Sequence, residues 1–336
     1  MMALFLRTES GLCIITILSQ HESVGFFYIC FMNKFFLLIA SHLYFFSFSQ
    51  DTLMPIVFLD DVIISEENNG FDVEDFIYYV KNDTTFYMGF KHLRYYSHKF
   101  ESSLNIFNKK NKKIASINKY GDYHTDNNKA WVSYDSTHSN GRMFKRSGKH
   151  RFYTPEAFDE VFFPKDTIDV SLDISKAKNK GESQNMRDAK TVGFSIGSDA
   201  TEQKKGGLNK KLAVFSIDMQ KYYDYTISDT IYNNIECYVF TIKMKDLVDE
   251  KDMKKVLIRN LVSYFDKTNF NVLYREYKFI YNHFLISLDI DVVVHMDYVN
   301  KKHVPTKIYY NGFWNVFLFK PERADFLLLN SDYIIN

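Results

Sequence analysis

Cysteine is scarce in this chain, and what there is cannot staple it. Of three cysteines in 336 residues, Cys13 and Cys30 lie in an N-terminal stretch unlike the rest, which leaves Cys237 alone beyond it. A disulfide framework needs at least two, so the fold must be held by its core. An excess of one charge is missing too. The 42 Lys and Arg face 41 Asp and Glu, for a net charge of +1. A nucleic-acid partner normally requires a basic face, so none is expected. No complete phosphate-binding loop is present either. Ser147-Gly148-Lys149-His150 resembles the end of one, but Met143 stands where the first Gly belongs and His150 where Ser or Thr belongs. What the chain has in quantity is aromatic carbon, 24 Tyr and 32 Phe, each a large apolar payload when buried.

The first 49 residues read as a leader. Met32-Asn33-Lys34 supplies a start and a positive charge. Phe35-Phe36-Leu37-Leu38-Ile39-Ala40 is an apolar core, extended by Leu43-Tyr44-Phe45-Phe46. Ser47-Phe48-Ser49 then gives small, any, small before Gln50. These are the three parts of a secretory signal. A membrane anchor needs about 20 predominantly apolar residues, and Ser41-His42 interrupts the run while Asn33-Lys34 cuts it off upstream. No Cys sits at the cleavage point for lipid attachment. The expectation is that residues 1–31 are a misassigned N-terminal extension, 32–49 are removed on export, and the protein works in the periplasm, at the outer membrane or outside the cell. Taking 49 from 336 leaves 287 residues, with 40 basic and 39 acidic.

The remainder reads as mainly β (α+β). Residues 50–96 form a lead-in strand and helices. Asp72 is a good N-cap, and Val73, Phe76, Ile77 and Val80 recur at helical spacing. Phe86, Phe90 and Leu93 share one side of a second short helix. Residues 97–336 form a curved antiparallel β domain, with a polar insert at 173–211. Strands are expected over 102–107 and 130–134. Asn140-Gly141 and Asn311-Gly312 carry the signal of a tight turn. Thr154-Pro155 opens a helix and Pro164 closes it. In the C-terminal third, Tyr238, Phe240, Ile242 and Met244 share a strand face. A hairpin over 256–281 turns at Lys267-Thr268-Asn269. Ile286, Leu288, Ile290, Val292, Val294, Met296 and Tyr298 then hold seven successive period-two positions, with Asp289, Asp291, His295 and Asp297 opposite, so that one face is apolar and the other wet. At about 3.3 Å per residue that strand is about 46 Å long, and a strand of this length must curl to bury its face. The fold expected is a long curved antiparallel sheet, an unclosed barrel wrapped around short helices.

Few constellations suggest chemistry. Gly193-Phe194-Ser195-Ile196-Gly197 matches the nucleophile elbow of serine hydrolases, but the flanking segments are too polar for the strand and helix that should hold Ser195. The match is taken as fortuitous, and no catalytic residue, metal site or cofactor is expected. Asp122, His124 and Asp126 read as a polar loop, and Asp289, Asp291, His295 and Asp297 as a solvated strand face whose spacing is too wide for one metal ion. Tyr222-Tyr223-Asp224-Tyr225 reads as core or edge packing. Cys237 reads as a small buried hydrophobe. The basic turns at 108–113 and 204–211 leave peripheral contact with membrane headgroups open.

The order of parts, with Cys237 opening a strand, the hairpin around Asp266-Lys267-Thr268-Asn269-Phe270 and the long strand leading to Val304-Pro305-Thr306-Lys307, resembles secreted bacterial envelope proteins distantly similar to the outer-membrane lipoprotein-carrier (sorting) superfamily. The resemblance spans about residues 95–335. It implies an unclosed barrel around helices whose apolar concave face holds acyl chains. The hypothetical ligand-binding set is Tyr238, Phe240, Ile242 and Met244 with Ile286, Leu288, Ile290, Val292, Val294 and Met296. Lipid or lipoprotein is the partner this implies; the oligomeric state is left open. The chain departs from the pattern in its size, in the insert at 173–211 and in the lead-in at 50–95. Two other readings stand beside this one: an envelope structural or interaction module with a closed core, and a serine hydrolase using Ser195.

Overall fold

Period-two apolar patterning repeats along most of this chain, and the computed structural model shows a large sheet as its consequence. The structure describes residues 3–7, 13–17, 62–64, 80, 83, 85–170, 214–283, 286–316 and 320–335. The chain divides into two compact units, Met1–Ile56 and Val57–Asn336. In the first, β1 (Ala3–Arg7) pairs antiparallel with β2 (Cys13–Ile17). The leader at 32–49, the insert at 173–211 with its Ser195, and all but Val80 of the helix expected after Asp72 lie outside the described residues.

In the second unit β3 (Val62–Ile64) precedes α1 (Thr85–Tyr95) and a meander of β4 (Ser97–Phe107), β5 (Lys113–Asp126) and β6 (Lys129–Gly141). Helix α2 (Tyr153–Phe162) and the short β7 (Ile168–Asp169) follow. After one-turn α3 (Ile217–Gln220) come β8 (Tyr223–Tyr232), β9 (Ile235–Met244), one-turn α4 (Glu250–Met253), β10 (Ile258–Asp266), β11 (Val272–His283), β12 (Ile286–Val299), β13 (Lys302–Val316) and β14 (Glu322–Ile334). The sheet order is β3-β8-β9-β10-β11-β12-β13-β14-β4-β5-β6-β7. The last strand therefore joins the first long one, β14 pairing antiparallel with β4. Eleven strands, β4 to β14, are antiparallel throughout, and β3 adds to β8 in parallel. The two ends do not meet, so the sheet is a half-barrel and not a closed one.

Alternation sets which side is buried. On β12, Leu288, Ile290, Val292, Val294 and Met296 are buried while Asp289 and Asp297 are exposed. The same side continues across the ladder, with Val292 opposite both Tyr277 of β11 and Tyr310 of β13, Tyr310 opposite Phe326 of β14, and Phe326 opposite Leu104 of β4. A register shift after His295 marks a bulge at the end of β12, where Met296 faces Pro305.

Three local expectations are corrected. Asn311-Gly312 does not turn; it lies inside β13, Gly312 facing Ile290 and Ala324. Gly is needed there because a Cβ would run into the Tyr310 ring. Asn140-Gly141 ends β6, which continues well past Tyr134. The turn that starts β6 is made by Asn127 and Asn128, both at positive φ (48° and 61°), which Asn tolerates better than most residues. Asp122, His124 and Asp126 are strand residues of β5, not loop residues.

His98 shows how little of the inner side meets water. Its ring lies between Tyr123 and Tyr333, with centroids 5.0 and 4.8 Å away, and Nδ1 is 2.8 Å from the Tyr96 carbonyl oxygen. Burial pushes its pKa from 6.5 to about 4, against the Tyr96 carbonyl. The folded chain then binds this proton more weakly than the unfolded one. The contribution is intact above pH 6.5 and is lost as pH falls towards 4, about 3 kcal/mol in all. Urea unfolding above pH 6.5 and near pH 4 measures it, and His98→Phe should remove that part of the pH dependence.

Candidate functional site

The candidate site is the inner side of the half-barrel. An apolar face this wide needs a cover, and among the described residues α1 and α2 supply most of it. Helix α1 lies along β13. Phe86, Phe90 and Leu93, one side of the helix as their spacing predicts, are all buried. Phe86 and Phe90 meet edge to face at 5.1 Å. Gly89 faces the sheet, and a Cβ there would press on the Met296 and His303 side chains. Helix α2 covers the neighbouring strands. Phe158 packs on Phe326 at 4.3 Å and on Tyr310 at 5.0 Å, and Phe162 stacks on Phe326 at 5.6 Å. At the other end Phe215 stacks 6.0 Å from both Tyr225 and Phe240.

Each long helix is also tied down by charge. Asp83, just ahead of α1, accepts from the Thr85 backbone N–H (2.8 Å) and from Thr85 Oγ1 (2.6 Å) through one oxygen. Its other oxygen takes an Nη2 hydrogen bond from Arg275 of β11 at 3.0 Å. Both side chains are almost wholly buried, at 3% and 2% exposure for Arg275 and Asp83. Arg275 Nε donates to Ser263 Oγ at 2.9 Å, and its guanidinium sits 4.3 Å from the Phe86 ring centroid. Burial lowers the Arg275 pKa from its ordinary value, and Asp83 opposes that. Two imidazoles continue the seam. His92 Nδ1 meets the His303 carbonyl, and His303 Nε2 lies 2.5 Å from the Val272 carbonyl oxygen.

On α2 the corresponding group is Asp159. It accepts from Lys119 Nζ of β5 at 2.5 Å and bonds His150 Nε2 at 2.8 Å. Burial alone would raise the Asp159 carboxyl, but His150 and Lys119 outweigh it and hold it below the ordinary carboxylate range. Lys119 moves down because its burial exceeds what Asp159 returns. Its ammonium also lies 4.8 Å from the Phe163 ring centroid. The helix start is capped from the sheet: the Glu322 carboxylate accepts from the backbone N–H of Tyr153 (2.7 Å) and Thr154 (2.9 Å), and from Thr154 Oγ1 (3.0 Å). A carboxylate there also complements the helix dipole.

The residues singled out in the sequence fall on this side to different degrees. Phe240, Ile242, Leu288, Ile290, Val292, Val294 and Met296 are buried. Tyr238 and Met244 are only partly buried and pack against the buried cluster. The Ile286 side chain lies outside the described residues. Tyr223 and Tyr225 are core, at 0% and 2% exposure. Cys237 is fully buried, and burial raises its thiol to about 11. Sequence reasoning missed the charged members Asp83, Lys119, Asp159 and Arg275. The available signal was a charge at an apolar parity, as in Leu273-x-Arg275-x-Tyr277-x-Phe279.

No protein-family model and no curated protein matches the chain. Among solved structures it is distantly similar to two bacterial proteins. One is a DUF1329 family protein from Desulfovibrio piger, with 10% identity, 75% of this chain and 90% of that one covered, and a TM-score of 0.22. The other is an outer membrane lipoprotein-sorting protein domain from Vibrio parahaemolyticus, with 11% identity, 74% and 90% covered, and a TM-score of 0.22. Lipovitellin is similar over 71% of this chain and 25% of its own, with 6% identity and a TM-score of 0.25. At such scores the likeness carries nothing about function. No helix among the described residues is long and apolar enough to cross a membrane.

If the Asp83–Arg275 pair holds α1 in place, breaking one side should cost far more than replacing both. Arg275→Met should lower unfolding free energy by about 3–5 kcal/mol, because it strands a buried carboxylate. Adding Asp83→Leu should restore most of that, less about 1 kcal/mol for the lost cap at Thr85. Urea denaturation of the single and double variants reads the difference.

Proposed function

We propose that this protein is a non-enzymatic carrier or binding protein for an acyl chain, free or attached to a lipoprotein, which it holds on the inner face of the half-barrel. The observation that carries this reading is the way the face is covered. A core meant to stay shut has no need of buried charge, since well-packed apolar pairs are often as stable or more so. Here the two longer helices over the face are each fastened through a buried carboxylate, Asp83 to Arg275 and Asp159 to Lys119. The side chains they press on the sheet, such as Phe86, Phe90, Phe158 and Phe162, are apolar groups that an acyl chain can replace. Binding then exchanges a helix face for hydrocarbon, at about 0.8 kcal/mol per buried methylene.

A second reading is favoured by a specific observation. Leu288, Ile290, Val292 and Val294 are 1–6% exposed, as they are in a core that never opens. On that reading the protein is a structural or interaction module of the cell envelope. Export to the envelope belongs to both readings and rests on the leader pattern of residues 32–49.

Palmitate titration separates them. The carrier reading expects saturable binding by the unmodified chain and tighter binding by Arg275→Met, whose α1 is less firmly held. The closed module expects no saturable binding by either, with Arg275→Met merely less stable. Native mass spectrometry of protein purified from cell envelopes should show an acyl-sized adduct on a chain that begins at Gln50; a longer N-terminus refutes the export reading alone.

A further inference from the structure

Among the described residues the half-barrel has a largely unpaired edge strand, and its chemistry differs from that of the inner face. Strand β6 is paired with β5 along its length, but on its other side β7 covers only Lys129 and Ala130. From Trp131 to Asn140 the outer backbone of β6 has no strand partner among the described residues. Unpaired edges invite a further strand, and proteins usually guard them with Lys, Pro or bulges. Residues 130–141 contain no Lys, Arg or Pro, and Asp135 is their one carboxylate. The bulge is present: the register with β5 shifts between Tyr120 and Gly121, which leaves Asp135 without a partner. Beyond it the register runs unbroken from Ser136 to Asn140, before Gly141 turns to positive φ (71°), and five residues are enough for an ordinary strand pairing.

We infer that a second copy of this chain occupies that edge, its β6 antiparallel to the first about a two-fold axis through His138. Side chains directly opposite one another in an antiparallel pair lie on the same face, which this register satisfies. Ser136, His138 and Asn140 face one side, opposite Tyr120, Asn118 and Ser116 of β5, while Thr137 and Ser139 face the other, opposite Lys119 and Ile117. Across the axis Ser136 then meets Asn140, and Thr137 meets Ser139. Each can both donate and accept, and Thr–Ser pairs of this kind stabilise sheets. Ser136 to Asn140 carry no carboxylate or ammonium group, so no two like ones oppose. There is room on both faces, because Thr137 to Gly141 are exposed and Ser136 is half-exposed. A contact of this kind is isologous and closes at two copies. At the opposite end of the sheet β3 covers Tyr225 to Ile227 of β8, and the uncovered run beyond it, Ser228 to Tyr232, carries the charged Asp229, paired to Lys267 at 2.9 Å.

Sedimentation equilibrium on the full chain tests this, with circular dichroism confirming that each variant is folded. The unmodified chain should show a reversible monomer–dimer equilibrium. His138→Lys sets two ammonium groups face to face and should weaken it several-fold without loss of fold. His138→Cys should give a disulfide-linked dimer under mild oxidation, with the unmodified chain as the control for Cys13 and Cys30. A chain that stays monomeric at every concentration overturns the inference. So does a dimer that His138→Lys leaves unchanged while His138→Cys fails to cross-link, since the copies then meet elsewhere.

Discussion

An apolar sheet that does not close on itself must cover its inner face with something else, and the two covering helices with their buried charges follow from that. A closed barrel would bury the row from Tyr277 through Val292, Tyr310 and Phe326 to Leu104 against its own far wall. A half-barrel has no far wall. Helices α1 and α2 take that place, and the aromatic richness of the chain is spent on the contact: Phe86 and Phe90 from one helix, Phe158 and Phe162 from the other.

Hydrophobic contact is non-directional, so it does not by itself fix where a short helix lies on a broad surface. The buried charges do. Asp83 both caps α1 and meets Arg275, so the start of the helix and its position on β11 are set by one carboxylate. On α2 the two tasks are divided: Asp159 fixes the helix against Lys119, and Glu322 reaches from β14 to cap its N-terminus. Taking such groups out of water is costly unless they are paired. That cost makes these contacts close to all-or-none: a helix is either docked with its charge matched or released with the charge returned to water.

Much of the sheet was legible because period-two patterning survives wherever one face is buried. The strand expected over 286–299 is β12 with those bounds, and the face containing Leu288 to Met296 is the buried one. The helix carrying Phe86, Phe90 and Leu93 was legible for the same reason at a different period. Reading failed where that asymmetry fades. The far half of β6 is exposed on both faces, so Ser136 to Gly141 show no alternation. Asn311-Gly312 gave a turn signal because the sequence cannot show that Gly312 is there to clear the Tyr310 ring. The charged fastenings were illegible for a different reason. Asp83 and Arg275 are 192 residues apart, and no local pattern links a helix cap to a strand that distant.

The central claim is that α1 is a docked cover over the sheet and not an inseparable part of its core. Native-state hydrogen exchange measures this most directly. The account predicts that amides of α1 exchange through a local opening of lower free energy than those of β12 and β13, and that Arg275→Met lowers the α1 value further while leaving β12 largely unchanged. If α1 exchanges only with global unfolding, in step with β12 in both forms of the protein, the helix is core and the account is contradicted.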